Sequence, residues 1–114
     1  MIDPVLWRKY FKPVYKDFVN AVKKRGLNTD FHSDGNVTKI LDDLLEIGIN
    51  VLNVQLSAMD IDVVSDICRG RVCIRTDIDR QHLLQFGSTD DVRNYVRNLI
   101  EKFGTKDGGL ILYA

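Results

Sequence analysis

The chain has 114 residues, of which 45% are hydrophobic, and this is enough for one domain with its own core. Sixteen Lys and Arg residues balance sixteen Asp and Glu residues without clustering, so we expect no binding of nucleic acid or of an anionic membrane surface. No apolar run approaches the length of a membrane span and no leader pattern opens the chain, so we expect a cytoplasmic protein with reduced thiols.

The first predicted element is a long helix that ends at Gly26. Asp3 is a candidate N-cap, and Pro4 occupies the first helical position, where its missing N–H costs nothing. Apolar residues then recur at helical spacing. Because Pro13 falls inside this pattern, we expect a kink or a break into two helices near Lys12.

The rest of the chain alternates between short apolar strands and amphipathic helices. Strands are predicted at 28–33, 49–55, 71–77 and 108–114. Helices are predicted at 37–47, 60–69 and 89–103, each followed by a glycine that can end it. Two cysteines, Cys68 and Cys73, have no second pair and no histidine at zinc-finger spacing, so we interpret them as ordinary buried thiols.

This order predicts an α/β protein built from four alternating αβ units. Strands separated by single helices run parallel, because each crossover returns the chain to the same edge of the sheet. Two architectures satisfy the pattern: a small doubly wound sheet, or an arc of a (β/α)8 barrel. In both, the chemistry belongs at the carboxyl ends of the strands.

Three segments resemble a known family. The stretch "FHSDGNVTKILDDLLEIGINVLNVQ" is followed by "IRTDIDRQHLLQFGSTDDVRNYVRNLIEKFG" and then by "GGLILYA". Their order and spacing are similar to the carboxyl-terminal part of the uroporphyrinogen decarboxylase-like superfamily, which contains uroporphyrinogen decarboxylases and corrinoid- or coenzyme M-linked methyltransferases. The resemblance implies the later part of a TIM barrel. A complete member is roughly three times longer, so we expect residues 1–114 to form a single partial domain.

The resemblance also implies an activity for intact relatives. It is either decarboxylation of a tetrapyrrole without a cofactor, or methyl transfer from a methylated corrinoid through a metal. Zinc-dependent methyltransferases hold their metal with His-x-Cys and a distant cysteine, whereas Asp34 stands at the first cysteine position here. A zinc or other divalent ion would then rely on His32 and Asp34. Asp34 and "RTDIDRQ" slightly favour the methyltransferase branch.

The turn "FHSDGN" carries the first candidate site. His32 and Asp34 lie two residues apart, so on an extended strand end both point to the same side, where they could ligate a metal. Asp34 is also a candidate catalytic group. Alternatively, Asp34 or Asn36 caps the helix that starts at Val37, and His32 bonds to a neighbouring strand.

Two later strand ends carry the second candidate site. Gln55, Asp77 and Gln81 are candidates for substrate binding, and Asp79 is a candidate catalytic residue that could form an acid and base pair with Asp77. The alternatives are that Gln55 ties down a loop and that an aspartate stabilises a turn. His82 follows that loop and is interpreted as a surface residue.

A non-catalytic interpretation remains beside the enzymatic one. The resembling enzymes draw essential residues from a part that this chain does not match, so we expect the chain alone to be inactive. Half a barrel has two open sheet edges and, we expect, an uncovered inner layer of apolar side chains. The chain is therefore predicted to form a homo-oligomer or to complement a partner chain.

Overall fold

Four parallel strands form one sheet in the computed structural model, which describes residues 2–114. The strands are β1 (Asp30–Ser33), β2 (Val51–Val54), β3 (Cys73–Asp77) and β4 (Leu110–Tyr113). They lie in the order β1-β2-β3-β4, and each is parallel to the next. A doubly wound sheet reverses its strand order at a switch point, and this sheet has no reversal, so its topology is that of a barrel arc.

Helices connect all four strands. They are α1 (Pro4–Leu6), α2 (Lys12–Lys23), α3 (Leu41–Ile47), α4 (Ile61–Cys68), α5 (Leu83–Phe86) and α6 (Thr89–Phe103). Short 3-10 turns cover Thr38–Ile40 and Leu56–Ala58. Among residues 2–114, no helix combines the length and the apolar character that a bilayer crossing needs. The predicted α/β class and alternating order are confirmed.

The helical path continues through Pro13, and its regular α pattern is interrupted immediately before Lys12, where a kink or a break was predicted. A π-helical turn, Trp7–Phe11, joins α1 to α2, and the Lys12 N–H donates to the Trp7 carbonyl. Pro13 has no N–H to donate, and the wider π turn just before it takes the place of a regular α turn. Trp7 is buried here and stacks on Tyr15 with ring centroids 5.9 Å apart.

The core lies between one face of the sheet and the helices. Strand residues that point to this face are buried, including Leu52 and Val54 on β2 and Ile74 on β3. They pack with buried residues of the helices, such as Leu44 and Leu99. Because side chains alternate along a strand, the intervening residues occupy the opposite, open face.

The expected apolar inner layer is present only in part, because polar residues share the open face with Val51, Cys73 and Ile111. The Arg75 guanidinium donates to Asp30 Oδ2 at 2.8 Å and lies over the Tyr113 ring, 5.4 Å from its centroid. The Tyr113 hydroxyl donates to Asn53 Oδ1 at 3.1 Å. The strands read as apolar overall because their helix-facing residues are, and the prediction did not separate the two faces.

Candidate strand-end site

The ends of β2 and β3 open onto a cavity of about 240 Å³. Its lining is polar and consists of Gln55, Ser57, Asp77, Asp79, Arg80, Gln81 and Gln85. All four residues predicted for the second candidate site therefore line one cavity, at the strand ends where parallel α/β folds place their sites. Their chemical roles remain predictions.

Asp77 ends β3 and is buried in the wall of this cavity. Its Oδ2 accepts a hydrogen bond from Arg80 Nε at 2.5 Å, and most of the Arg80 side chain is exposed. A buried carboxylate without a partner would be costly, so this ion pair accounts for the position of Asp77. The same pair brings a guanidinium to the cavity mouth.

Asp79 shapes the loop beside the cavity. Its Oδ1 accepts the backbone N–H groups of Gln81 at 3.0 Å and His82 at 3.2 Å, immediately before α5 begins. This is the turn-stabilising role that sequence reasoning left as an alternative. Its Oδ2 lies 3.8 Å from His82 Nδ1, and His82 is exposed as predicted.

Gln55 joins the two candidate sites. Its Oε1 accepts the Gly35 N–H at 3.0 Å, so the end of β2 holds the "FHSDGN" turn in place, as one alternative predicted. Gly35 has φ +71°, a left-handed conformation that glycine adopts without strain. The Gln55 side chain thus has a structural role and also lines the cavity.

His32 and Asp34 meet on the same side of the chain, as their spacing predicts. His32 Nε2 lies 3.7 Å from Asp34 Oδ2, and both side chains are largely exposed. They lie outside the lining of the cavity. Asn36 lies one residue before the N-cap of the following 3-10 turn, and its Oδ1 accepts the Thr38 N–H at 3.0 Å.

A metal site needs more donors than this pair supplies. Within residues 2–114, no three His, Cys, Asp or Glu side chains are grouped so that they could hold a metal ion. Catalytic zinc sites in proteins use three protein ligands and keep a fourth position open. His32 and Asp34 therefore do not form such a site with the described residues alone, and we derive no chemical step through a metal.

Tyr95 on α6 lies beside the site and was not among the residues that the sequence singled out. It lines a neighbouring cavity of about 420 Å³ that shares Asp79 with the first. The Tyr95 hydroxyl is buried and has no hydrogen-bond partner among the described residues. Burial raises the pKa of Tyr95, and the negative charges of Asp79 and Asp77 raise it further. The hydroxyl therefore keeps its proton at neutral pH.

The thiols have no part in this site. Cys68 is buried and Cys73 is half-buried, and both are free. Burial raises the pKa of Cys68 to about 11. Because the thiolate is the reactive form, Cys68 is an inert core thiol, as the sequence predicted.

Sequence reasoning missed three residues of the cavity lining: Ser57, Arg80 and Gln85. Arg80 stands inside the "DIDRQ" stretch that drew attention to its carboxylates, and the cation directly after Asp79 was the available signal. Ser57 and Gln85 belong to a 3-10 turn and to α5, neither of which had been predicted. No pattern in the sequence singled them out.

Comparison with known proteins identifies the family. The family model for uroporphyrinogen decarboxylase (URO-D) matches residues 1–113. No curated protein sequence and no solved structure matches the chain. The family match agrees with the resemblance of the three segments and with a four-stranded parallel sheet in the order of a barrel arc. The chain belongs to the uroporphyrinogen decarboxylase (URO-D) family.

Proposed function

We propose that this chain contributes the strand-end face of a site that binds a tetrapyrrole-type small molecule for decarboxylation. One observation carries the proposal: Gln55, Asp77, Asp79 and Gln81 come from successive strand ends and line a single cavity. Ligand sites of parallel α/β folds lie at that end of the sheet. The family match supports the proposed substrate class.

The side chains around this cavity suit a carboxylate-bearing substrate. The Arg80 guanidinium is largely exposed at the mouth, so it can also meet a carboxylate of the ligand. Gln55 and Gln81 add amide groups, which can donate hydrogen bonds. Their combination favours an anionic organic molecule with several polar groups.

The carboxyl groups that line this cavity can also transfer a proton. Loss of CO₂ from an acetate side chain replaces a C–C bond by a C–H bond, so the reaction needs a proton donor near the reacting carbon. Asp79 commits Oδ1 to the loop backbone, and the residue lines the cavity. We assign Asp79 the proton-transfer role and Asp77 the role of holding Arg80.

Corrinoid-linked methyl transfer is a second candidate function. It is favoured by the approach of His32 to Asp34, which places one nitrogen and one oxygen donor 3.7 Å apart in the turn that Gln55 holds in place. A metal there would need further ligands from outside the described residues. Calorimetry with zinc or cobalt tests this function, and unchanged metal binding in a His32→Ala, Asp34→Ala double variant would remove it.

Binding of uroporphyrinogen under anaerobic conditions tests the main proposal. We expect the chain to bind it without turnover, and we expect Arg80→Gln to weaken binding because it removes the guanidinium. Asp79→Asn should leave binding nearly unchanged because the amide oxygen can still accept the two loop N–H groups. Arg97→Gln, on the exposed face of α6, is the matched control. Equal loss of affinity in both arginine variants would point to non-specific charge attraction.

A further inference from the structure

Within residues 2–114, no further strand pairs with either edge of the sheet. β1 and β4 each pair on one side only, so their outer backbone groups are left for another strand. Such edges attract further strands unless something covers them. A helix with exposed apolar side chains lies beside each edge. The helix beside β1 presents projecting apolar side chains, and a shallow apolar groove lies beside β4.

The border of β1 is the outer side of α2. Lys12 contacts Asp43 at 2.8 Å and Glu46 at 2.6 Å, so its side of the helix faces α3. Val14 and Phe18 follow Lys12 by two and six residues, which places them on the opposite side at about 3.6 residues per turn. They are 53% and 67% exposed. This apolar face of α2 lies away from α3, and Phe18 also lines a shallow cavity beside Phe31 of β1.

The border of β4 is a shallow apolar groove beside α6. Lys102 pairs with Asp62 of α4 at 2.7 Å, so its side of α6 faces α4. Ile100 precedes Lys102 by two residues and therefore lies on the other side of α6, where it is 53% exposed. Together with Leu110 and Leu112, Ile100 lines a groove of about 310 Å³. No helix follows β4 within residues 2–114.

We infer that a second copy of this chain covers both edges. In the pair, β4 of each copy lies parallel to β1 of the other, and α2 places Val14 and Phe18 into the groove beside Ile100. In each copy α2 precedes β1, and it takes the place of a helix after β4 of the other copy. The two copies can therefore pair without a further element. Two arcs of four sequential strands make eight, the number that closes a (β/α)8 barrel, and two-fold symmetry repeats the contact at both junctions.

Closure is compatible with the polar pairs on the open face. Arg75 is already paired with Asp30, and the Tyr113 hydroxyl with Asn53, so enclosing this face leaves neither pair without its partner. Closure also brings the strand-end cavities of both copies to the same end of one barrel. The inference concerns assembly only and does not depend on the proposed chemistry.

Sedimentation velocity of the full chain at micromolar concentration tests the assembly. We expect a dimer, with twice the 13.1 kDa mass of the chain. Phe18→Lys and Ile100→Lys should each raise the dimer dissociation constant by at least about tenfold, because each buries a charge at a junction. Val63→Lys, at a 41% exposed position of α4 between the two edges, is the matched control and should leave the dimer intact.

Hydrogen exchange provides a second measurement that does not rely on the variants. Outer-edge amides of β1 and β4 should gain protection as the dimer forms, and should lose it in Phe18→Lys while circular dichroism stays unchanged. A monomer at micromolar concentration would overturn the inference and leave another chain, or another segment of a longer chain, as the cover. A dimer unaffected by both edge variants, or an assembly larger than two, would also overturn it.

Discussion

At the scale of single residues, Asp79 combines a structural contact with a candidate chemical role. Its position after β3 made it a candidate from sequence, since parallel strands gather their carboxyl ends. Turn stabilisation was predicted only as an alternative role, because the two N–H groups that Asp79 accepts depend on how residues 80–82 turn back toward it. The same reason hid the ion pair between Asp77 and Arg80.

Replacement of Asp79 measures how much its contact with the loop contributes to stability. We expect Asp79→Ala to lower the free energy of unfolding by about 1 kcal/mol, because two N–H groups lose their acceptor. Asp79→Asn should cost less, since its amide oxygen remains an acceptor. Urea denaturation measures both values, and equal stability of Asp79→Ala and the unaltered chain would show that this contact does not hold the loop.

Asp43 should make stability depend on pH. Burial alone would raise the pKa of Asp43, but hydrogen bonds and charges from Lys12 and Arg8 outweigh it and lower the pKa below the ordinary 3.8. A carboxyl whose pKa is lower in the folded state stabilises the protein above pH 3.8, and this contribution is lost as the pH falls through the folded pKa.

We therefore expect Asp43→Asn to lower the unfolding free energy at neutral pH by about 2 kcal/mol. It should also flatten the decline of stability as the pH falls from about 5 to below 3.8. Urea denaturation across this range measures both effects. Asp42→Asn, one residue earlier and exposed, is the control. A pH profile with the same slope in Asp43→Asn as in the unaltered chain would contradict the assignment.

At the scale of elements, local signals predicted the helix ends well. The Asp60 side chain accepts N–H groups at the start of α4, and Ser88 forms a capping box with Asp91 at the start of α6. The π turn near Pro13 and the four-residue α5 were missed. A π turn leaves no distinctive pattern, and one helical turn is too short to show a period.

Gly48 ends α3 in the left-handed conformation, with φ +87°. We expect Gly48→Ala to destabilise the protein by about 1 kcal/mol, since a residue with a Cβ is strained at this φ. Gly48→Asn adds a Cβ against the same neighbour, the flexible Lys23 ammonium, but asparagine tolerates this conformation better and should cost less. Thermal unfolding compares the two, and a larger loss for Asn than for Ala would refute the conformational explanation.

At the scale of the whole molecule, the alternation of elements was enough to predict a parallel α/β sheet. It could not choose between a doubly wound sheet and a barrel arc, because that choice depends on which strands become neighbours. The resemblance to a barrel family made the choice, and the strand order agrees with it. The polar pairs across the open face join strands up to 60 residues apart, so no local pattern could reveal them.

The central claim is that the strand-end cavity is where this URO-D-family chain binds its small molecule. Titration of the isotope-labelled chain with uroporphyrinogen, followed through backbone amide chemical shifts, tests it most directly. We predict saturable shifts at Gln55 and at residues 77–81, with the amides of 70–73 at the opposite strand ends unchanged. Saturable shifts confined to the opposite strand ends, or no saturable shift at all, would contradict the claim.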